Sequence, residues 1–217
     1  MIRHFGPNEA LFIVEAVRWT LLLSAIAFAG GGLGGLIVAL ARTGPLAGLR
    51  GIAAGYIQVF QGTPLLMQLF LVFFGANLFA GSIDPLVAAA IALTMNAAAF
   101  LGEIWRGCID AIPRGQWEAA TALGMRYPAR MIYIVLPQAA RIAIAPTVGF
   151  LVLLLKSTSL ASIIGFVEVT RAGQIINNAT FRPFLVFSIV ATIYFVLCWP
   201  LSMLSRRLEL RFGAVSR

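Results

Sequence analysis

The sequence predicts an all-α integral membrane protein with about five transmembrane helices in a single domain. Of the 217 residues, 60% are hydrophobic and only 11% are charged, whereas the surface of a soluble domain needs more polar groups. Long apolar stretches alternate with short polar or basic connections, and each span uses about 20 residues. Residues 1–217 are therefore expected to form one domain whose solvent is the lipid bilayer.

The first predicted span covers residues 20–41, an uncharged stretch that ends at Arg42 and the Gly44-Pro45 pair. Within it, Gly30 to Gly35 matches the Gly-x-Gly-x-x-Gly pattern of dinucleotide sites. That pattern binds a dinucleotide only where it follows a strand, and here it lies inside a span. Close packing of this helix against a neighbour is the expected use of the glycines.

The second predicted span, residues 52–80, is polar for a membrane helix. Its polar positions are Gln58, Gln61, the Gly62-Thr63-Pro64 run and Gln68. Proline frees a backbone carbonyl that lipid cannot satisfy, so we expect a broken helix that faces protein or a water-filled path. The glutamines and Thr63 either bond neighbouring helices together or contact a solute, and the residues alone leave both roles open.

Three further spans are predicted at residues 85–102, 137–155 and 184–204. The third contains one strongly polar interior residue, Asn96, for which bonding to another helix is favoured over contact with a solute. Residues 105–136 form a long basic and amphipathic connection between the third and fourth spans. Residues 156–183 have a mixed composition that allows a partly re-entrant segment.

The basic residues indicate the orientation of the chain. If residues 105–136 are cytoplasmic, eleven of the sixteen lysine and arginine residues lie inside: Arg42, Arg50, Arg106, Arg114, Arg126, Arg130, Arg141, Arg206, Arg207, Arg211 and Arg217. Basic connections favour the cytoplasmic side, so five spans place the N-terminus outside and the C-terminus inside. Topology thus explains the net charge of +8 without a nucleic acid partner.

The composition argues against catalysis by this chain. His4 is the only histidine, which excludes histidine-pair metal sites and Ser/His or Cys/His catalysis. Cys108 and Cys198 lie far apart in the sequence and are expected to be free thiols. The chain contains no Gly-x-x-x-x-Gly-Lys-Ser/Thr phosphate loop. We therefore expect no catalytic residues, no metal site and no cofactor bound by this chain.

The most specific motif lies in the basic connection. Glu118-Ala119-Ala120 is followed after three residues by Gly124 and after nine more by Ile134-Val135-Leu136-Pro137. Residues 116–123 are good helix formers, and Gly124 stands where a helix commonly ends with a positive φ. We therefore expect a short helix whose small alanine side chains allow another protein to approach closely. Glu118 would make polar contacts at the edge of that interface.

This spacing resembles the cytoplasmic signature of permease subunits in binding-protein-dependent ABC importers, and every fixed position matches. Segments 62–69, 112–120, 136–139 and 156–160 resemble the polar amino acid branch of that family, which includes histidine, glutamine and arginine permeases. One departure is visible, because the last segment commonly reads Lys-Asp-Thr-Ser-Leu and here Ser157 replaces the acid. Any role of that acid is therefore in doubt for this chain.

The resemblance implies that the short helix is a coupling helix, docked in a cleft of a separate ATPase subunit. The residues implied in this contact are Gln116, Trp117, Glu118, Ala119, Ala120, Leu123, Gly124, Met125, Leu136 and Pro137. The implied partners are two ATPase subunits that hold ATP and Mg²⁺, a second permease subunit identical or similar to this chain, and an extracytoplasmic amino-acid-binding protein. The implied location is the bacterial cytoplasmic (inner) membrane.

Eight residues are candidates for a substrate pathway and its gate: Gln61, Thr63, Asn96, Glu103, Lys156, Ser157, Thr158 and Ser159. For Glu103, an ion pair with Arg106 three residues later is favoured over contact with a substrate ammonium group. Lys156 and its neighbouring hydroxyls either meet a substrate carboxylate or extend toward water.

The predicted function is the translocation of a polar amino acid by the pore subunit of an ATP-driven importer, which is not itself an enzyme. The alternative is a secondary transporter or channel that works alone. Such a protein is expected to carry buried carboxylates in mid-span, and the cores of the first, third and fifth predicted spans are uncharged.

Overall fold

The structure, a computed structural model, describes residues 4–212 and consists of helices joined by short connections. The α-helices are α1 (Pro7–Glu15), α2 (Val17–Thr43), α3 (Ala47–Gly62), α4 (Leu65–Ala80), α5 (Pro85–Asp110), α6 (Arg114–Ala122), α7 (Tyr127–Arg130), α8 (Leu136–Ser157), α9 (Val169–Thr180) and α10 (Pro183–Phe212). A π-helical segment, Met131–Val135, joins α7 to α8, and a 3-10 helix, Thr158–Ile164, follows α8.

Four helical stretches in the described residues are long and apolar enough to span a membrane, and the bent pair α3 and α4 makes a fifth if it forms one span. The prediction of an all-α membrane fold with about five spans is confirmed. The buried core lies between α2, α4, α5 and α8, and its centre includes Leu23, Leu69, Leu93, Leu101 and Leu154.

The sequence did not predict α1. Pro7 occupies its first turn, where the missing N–H is not needed, and the Gly6 N–H donates to Glu9 Oε2 at 3.0 Å. Ile13 is fully buried in a cluster that includes Val169 and Val186. α1 therefore packs against α9 and α10 directly before the first span.

The contact between α2 and α5 depends on glycine. A Cβ added at Gly31 would lie 2.4 Å from Ala97 Cβ, and one at Gly34 would lie 2.9 Å from Ala98 Cβ. Backbones can approach this closely only where side chains are small. The predicted use of the Gly30 to Gly35 run in close helix packing is confirmed.

The second predicted span is broken, as the Gly62-Thr63-Pro64 run indicated. α3 and α4 meet at an angle of 102°. The Gln68 side chain satisfies carbonyls freed at the break, because its Nε2 donates to Phe60 O at 2.8 Å and to Thr63 O at 3.1 Å. A buried glutamine thereby replaces the backbone donors that the proline and the bend remove.

The remaining helices are longer than the predicted spans. α5 continues to Asp110 rather than ending near residue 102, since Arg106 pairs with Glu103 and Asp110 at helical spacing. Pro137 does not begin the fourth helix, because α7 and the π-helical segment lead into α8 without a break. α10 extends from Pro183 to Phe212, beyond the predicted 184–204.

Candidate functional site

The short helix α6 ends in a tight turn at Gly124. The Gly124 N–H donates to Thr121 O at 2.9 Å, and the Met125 N–H donates to Ala120 O at 3.1 Å. These two bonds form a Schellman motif, which requires a left-handed residue between helix and exit. Gly124 has φ 73°, so the predicted helix stop with positive φ is confirmed.

Most residues of the predicted coupling surface are exposed or half-buried. Gln116, Glu118, Ala119, Leu123, Gly124 and Pro137 are exposed, and Trp117, Met125 and Leu136 are half-buried. Leu123 is 81% exposed, so its side chain is accessible to a partner. Ala120 differs from the expectation, because it is only 3% exposed and packs within this chain. Its side chain therefore offers no surface to a partner.

Two contacts attach this surface to the spanning helices. Trp117 and Tyr127 pack against a buried cluster that contains Ile109 of α5 and Val135 of the π-helical segment. The Tyr127 hydroxyl also donates to Thr43 O, at the end of α2, with a distance of 2.9 Å. Trp117 and Tyr127 thereby join α6 and the segment after it to α2, α5 and the start of α8.

A cavity of about 150 Å³ lies where the α3–α4 break faces α5 and α8. Four of the predicted pathway residues line it: Gln61, Thr63, Asn96 and Ser157. The rest of its wall is apolar, formed equally by phenylalanine and leucine: Phe60, Leu65, Phe100, Phe150, Leu153 and Leu154. Polar side chains from three parts of the sequence thus converge on one apolar cavity, which is the usual composition of a small-molecule site.

Asn96 makes the helix-to-helix bond that the sequence favoured. Its Nδ2 donates to Gln68 Oε1 at 3.0 Å, so it joins α5 to α4, and it also borders the cavity. Thr63 Oγ1 donates to Val59 O at 2.7 Å and accepts from Gln68 Nε2 at 3.0 Å. These bonds fix the polar side of the cavity in one geometry.

The other four pathway candidates lie outside the cavity lining. Glu103 accepts from Arg106 Nε at 2.9 Å and from Nη2 at 2.6 Å, so the favoured ion pair is confirmed. Thr158 Oγ1 donates to Leu155 O at 2.7 Å and Ser159 Oγ donates to Lys156 O at 2.7 Å. Lys156 is exposed. The two hydroxyls therefore complete the turn after α8.

A second and larger groove, of about 500 Å³, lies between α2, α5 and α8. Its lining is apolar and includes Leu36, Ala143 and Ile144. The one polar contact at its wall is already internal, because Trp105 Nε1 donates to Thr147 Oγ1 at 2.8 Å. The groove has little with which to orient a polar solute.

Comparison with known proteins gives the family. Residues 31–213 match the family described as "Binding-protein-dependent transport system inner membrane component". The chain belongs to this family. The match begins within α2, so α1 lies before it.

Individual relatives of this permease cover nearly its whole length. It is 37% identical to the L-cystine transport system permease protein TcyB of Bacillus subtilis, over 90% of this chain and 84% of the relative. It is 35% identical to the glutamine transport system permease protein GlnP of Escherichia coli, over 92% of each chain. It also resembles a chain in the crystal structure of an amino acid ABC transporter with histidines, with TM-score 0.86, 36% identity and coverage of 92% and 94%.

The permease also contains a buried acid that the sequence analysis missed. Glu168 is fully buried and caps α9, accepting from the Thr170 N–H and the Arg171 N–H at 2.9 Å each. The Tyr194 hydroxyl of α10 donates to it at 2.7 Å. Burial raises the pKa of the Glu168 carboxyl above its ordinary value, although these hydrogen bonds act in the opposite direction. Its capping position, one residue before Val169-Thr170, was the available signal.

Proposed function

We propose that this chain is the pore subunit of an ATP-driven importer that translocates a polar amino acid delivered by an extracytoplasmic binding protein. Family membership and the amino acid substrates in the names of TcyB, GlnP and the solved transporter support the substrate class. The single observation that carries the mechanism is the exposed helix α6, whose Trp117 packs against a buried cluster from α5, the π-helical segment and α8. A helix of this kind transmits force from a protein that does not share its chain.

Two ATPase subunits supply that force in our proposal. ATP and Mg²⁺ bind to them, since this chain has no phosphate loop of its own. The exposed leucine Leu123 fills an apolar pocket of the ATPase, while Gln116, Glu118 and Ala119 form the surrounding contact. ATP binding draws the two α6 helices of the complex together and opens the pathway outward, and hydrolysis resets it.

The orientation follows from the location of the ATPase. α6 lies in the cytoplasm together with the arginine-rich end of α10, so the N-terminus is outside and the C-terminus inside. The binding protein then docks on the opposite face. In a bacterium this places the protein in the cytoplasmic membrane.

The pathway runs between this subunit and a second permease subunit, a copy of this chain or a similar one. The cavity at the α3–α4 break contributes a polar contact point from Gln61, Asn96 and Ser157. Its lining contains no ionised side chain, so a substrate meets amide and hydroxyl groups here and keeps its charged groups in water. We assign Glu103, Thr158 and Ser159 to the structure around the pathway because their side chains bond within this chain, and Lys156 because it is exposed outside the cavity lining.

Reconstitution tests the proposal. Purified complex in vesicles should take up labelled amino acid only with binding protein outside and ATP inside. Leu123→Asp should abolish ATP-dependent uptake by preventing ATPase docking. Leu210→Asp is the matched control, because Leu210 is 82% exposed and lies near the end of α10, and it should transport normally. Uptake by this chain alone under an ion gradient would refute the assignment in favour of a secondary transporter or channel.

A further inference from the structure

The helix that connects α6 to the cavity is not a regular α-helix. Between α7 and α8 the Met131–Val135 segment is π-helical, and the Leu136 N–H donates to Met131 O, five residues earlier. A π-helical turn inserts one residue into the α-helical ladder, and such turns are rare and frequently occur at functional sites. The inserted residue rotates everything after it by about 100° relative to an unbroken α-helix.

Pro137 gives a physical reason for the irregular turn. In an α-helix the N–H of residue 137 would donate to Tyr133 O, but proline has no N–H and its ring clashes with that carbonyl. The next residue adds a side-chain donor at the neighbouring carbonyl, because Gln138 Nε2 donates to Ile134 O at 2.7 Å. Pro137 thus removes the donor for Tyr133 O, and the Gln138 side chain bonds the next carbonyl of the same turn, Ile134 O.

The location of the segment connects two parts of the molecule. On one side, Met131 and Val135 are buried in the cluster against which Trp117 of α6 packs. On the other side, α8 carries Phe150 and Ser157 to the cavity wall. Any movement of α6 that reaches the cavity along this helix passes through this π-helical turn.

We propose that the Met131–Val135 segment is the joint at which α8 rotates relative to α6 during transport, and that Gln138 is the positioning residue that holds this joint in its π-helical form. The inference rests on the proposed function, because it assigns a step in the same coupling. With the Gln138 amide in place, the joint transmits a push from α6 as a rotation of α8. Without the Gln138 amide, the π-helical turn deforms under the push. The ATPase then hydrolyses ATP without moving the cavity wall.

The test is the number of amino acids taken up per ATP hydrolysed in the reconstituted complex. Gln138→Leu keeps the bulk and removes the donor, and it should lower this ratio by about threefold to tenfold, the range expected from losing one neutral hydrogen bond. Gln138→Lys restores a donor and should recover most of the ratio. Gln174→Leu is the matched control: it removes another half-buried glutamine bond, to Arg171 in α9, and should leave the ratio unchanged.

Pro137→Ala provides an independent measurement. It returns the missing N–H, so the segment should become α-helical and its amide hydrogen exchange should slow, with a loss of uptake per ATP similar to that of Gln138→Leu. The proposed joint would be refuted if Gln138→Leu took up as many amino acids per ATP as the wild type. It would also be refuted if Pro137→Ala showed slower amide hydrogen exchange but unchanged uptake per ATP. Absence of ATP-driven uptake in the wild-type complex would instead refute the proposed function, so the two failures are distinguishable.

Discussion

Replacing Gly31 with alanine tests whether α2 and α5 are held together by direct backbone contact. The added Cβ would lie 2.4 Å from Ala97 Cβ, 3.2 Å from Ala97 C and 3.3 Å from Ala97 Cα. Carbon atoms in contact are normally about 3.5–4.0 Å apart, so the helices must separate by roughly 1 Å or more. Two of the three obstructing atoms are backbone, and no side-chain rotation relieves the contact.

Overpacking of this kind destabilises a protein by about 1–3 kcal/mol. For a chain of this length we expect a melting temperature lower by about 2–12 °C, followed by tryptophan fluorescence in detergent micelles. Gly32→Ala is the control, since its Cβ would meet only Trp105 Cη2 at an ordinary 3.8 Å. The double variant Gly31→Ala/Ala97→Gly should recover part of the loss. Equal melting temperatures for wild type and Gly31→Ala would show that the glycine contact does not hold α2 to α5.

Three further predictions concern the turn after α6, its attachment to α2, and the buried acid. Gly124→Val forces a β-branched residue to φ 73°, at a cost of at least about 1–2 kcal/mol, and should reduce uptake per ATP without preventing membrane insertion. Gly124→Asn, which tolerates positive φ, should retain transport, and normal coupling in Gly124→Val would contradict the role of the turn. Tyr127→Phe keeps the ring but removes the 2.9 Å bond to Thr43 O, so thermal unfolding should show a loss of about 0.5–1.5 kcal/mol; an unchanged melting temperature would mean that this bond contributes nothing. For Glu168, burial raises the pKa of the carboxyl in the folded protein. The folded state therefore keeps the carboxyl protonated to a higher pH than the unfolded chain does. The free energy of unfolding should fall as the pH rises from the ordinary pKa through the raised one. Glu168→Gln should flatten the pH dependence of the melting temperature in that window, and identical pH profiles would count against a raised pKa.

The sequence was most informative where one residue type dictates backbone geometry. The break between α3 and α4 follows from Pro64, and the turn after α6 follows from Gly124, because few other residues allow these conformations. The helical end of α5 was missed for the opposite reason. Its acids and arginines resemble a polar loop in composition, yet Arg106 pairs with Glu103 and Asp110 only because the chain is helical there.

The candidate site was predicted only in part, because convergence depends on how helices pack. Asn96 and Ser157 are 61 positions apart in sequence and line one cavity. Adjacent residues on a helix point about 100° apart, so Ser157 borders the cavity while its neighbour Lys156 is exposed. The sequence cannot show which of Ser157 and Lys156 faces the cavity, because that depends on how α8 is rotated about its axis. Glu168 was missed because its burial arises from Tyr194 and from the packing of α9, which the sequence does not specify.

Where a push on α6 produces movement depends on which of the neighbouring helices are held firmly by their contacts. Tyr127 ties the exit of α6 to the end of α2, and α2 is locked to α5 by contacts such as Gly31 against Ala97, which leave no space for sliding. α2 and α5 therefore resist displacement as one unit. The backbone ladder of α8 is interrupted at its start by a π-helical turn and Pro137. Force entering at α6 is thus expected to rotate α8 against a fixed pair of helices, and the cavity wall carried by α8 is the part that changes shape.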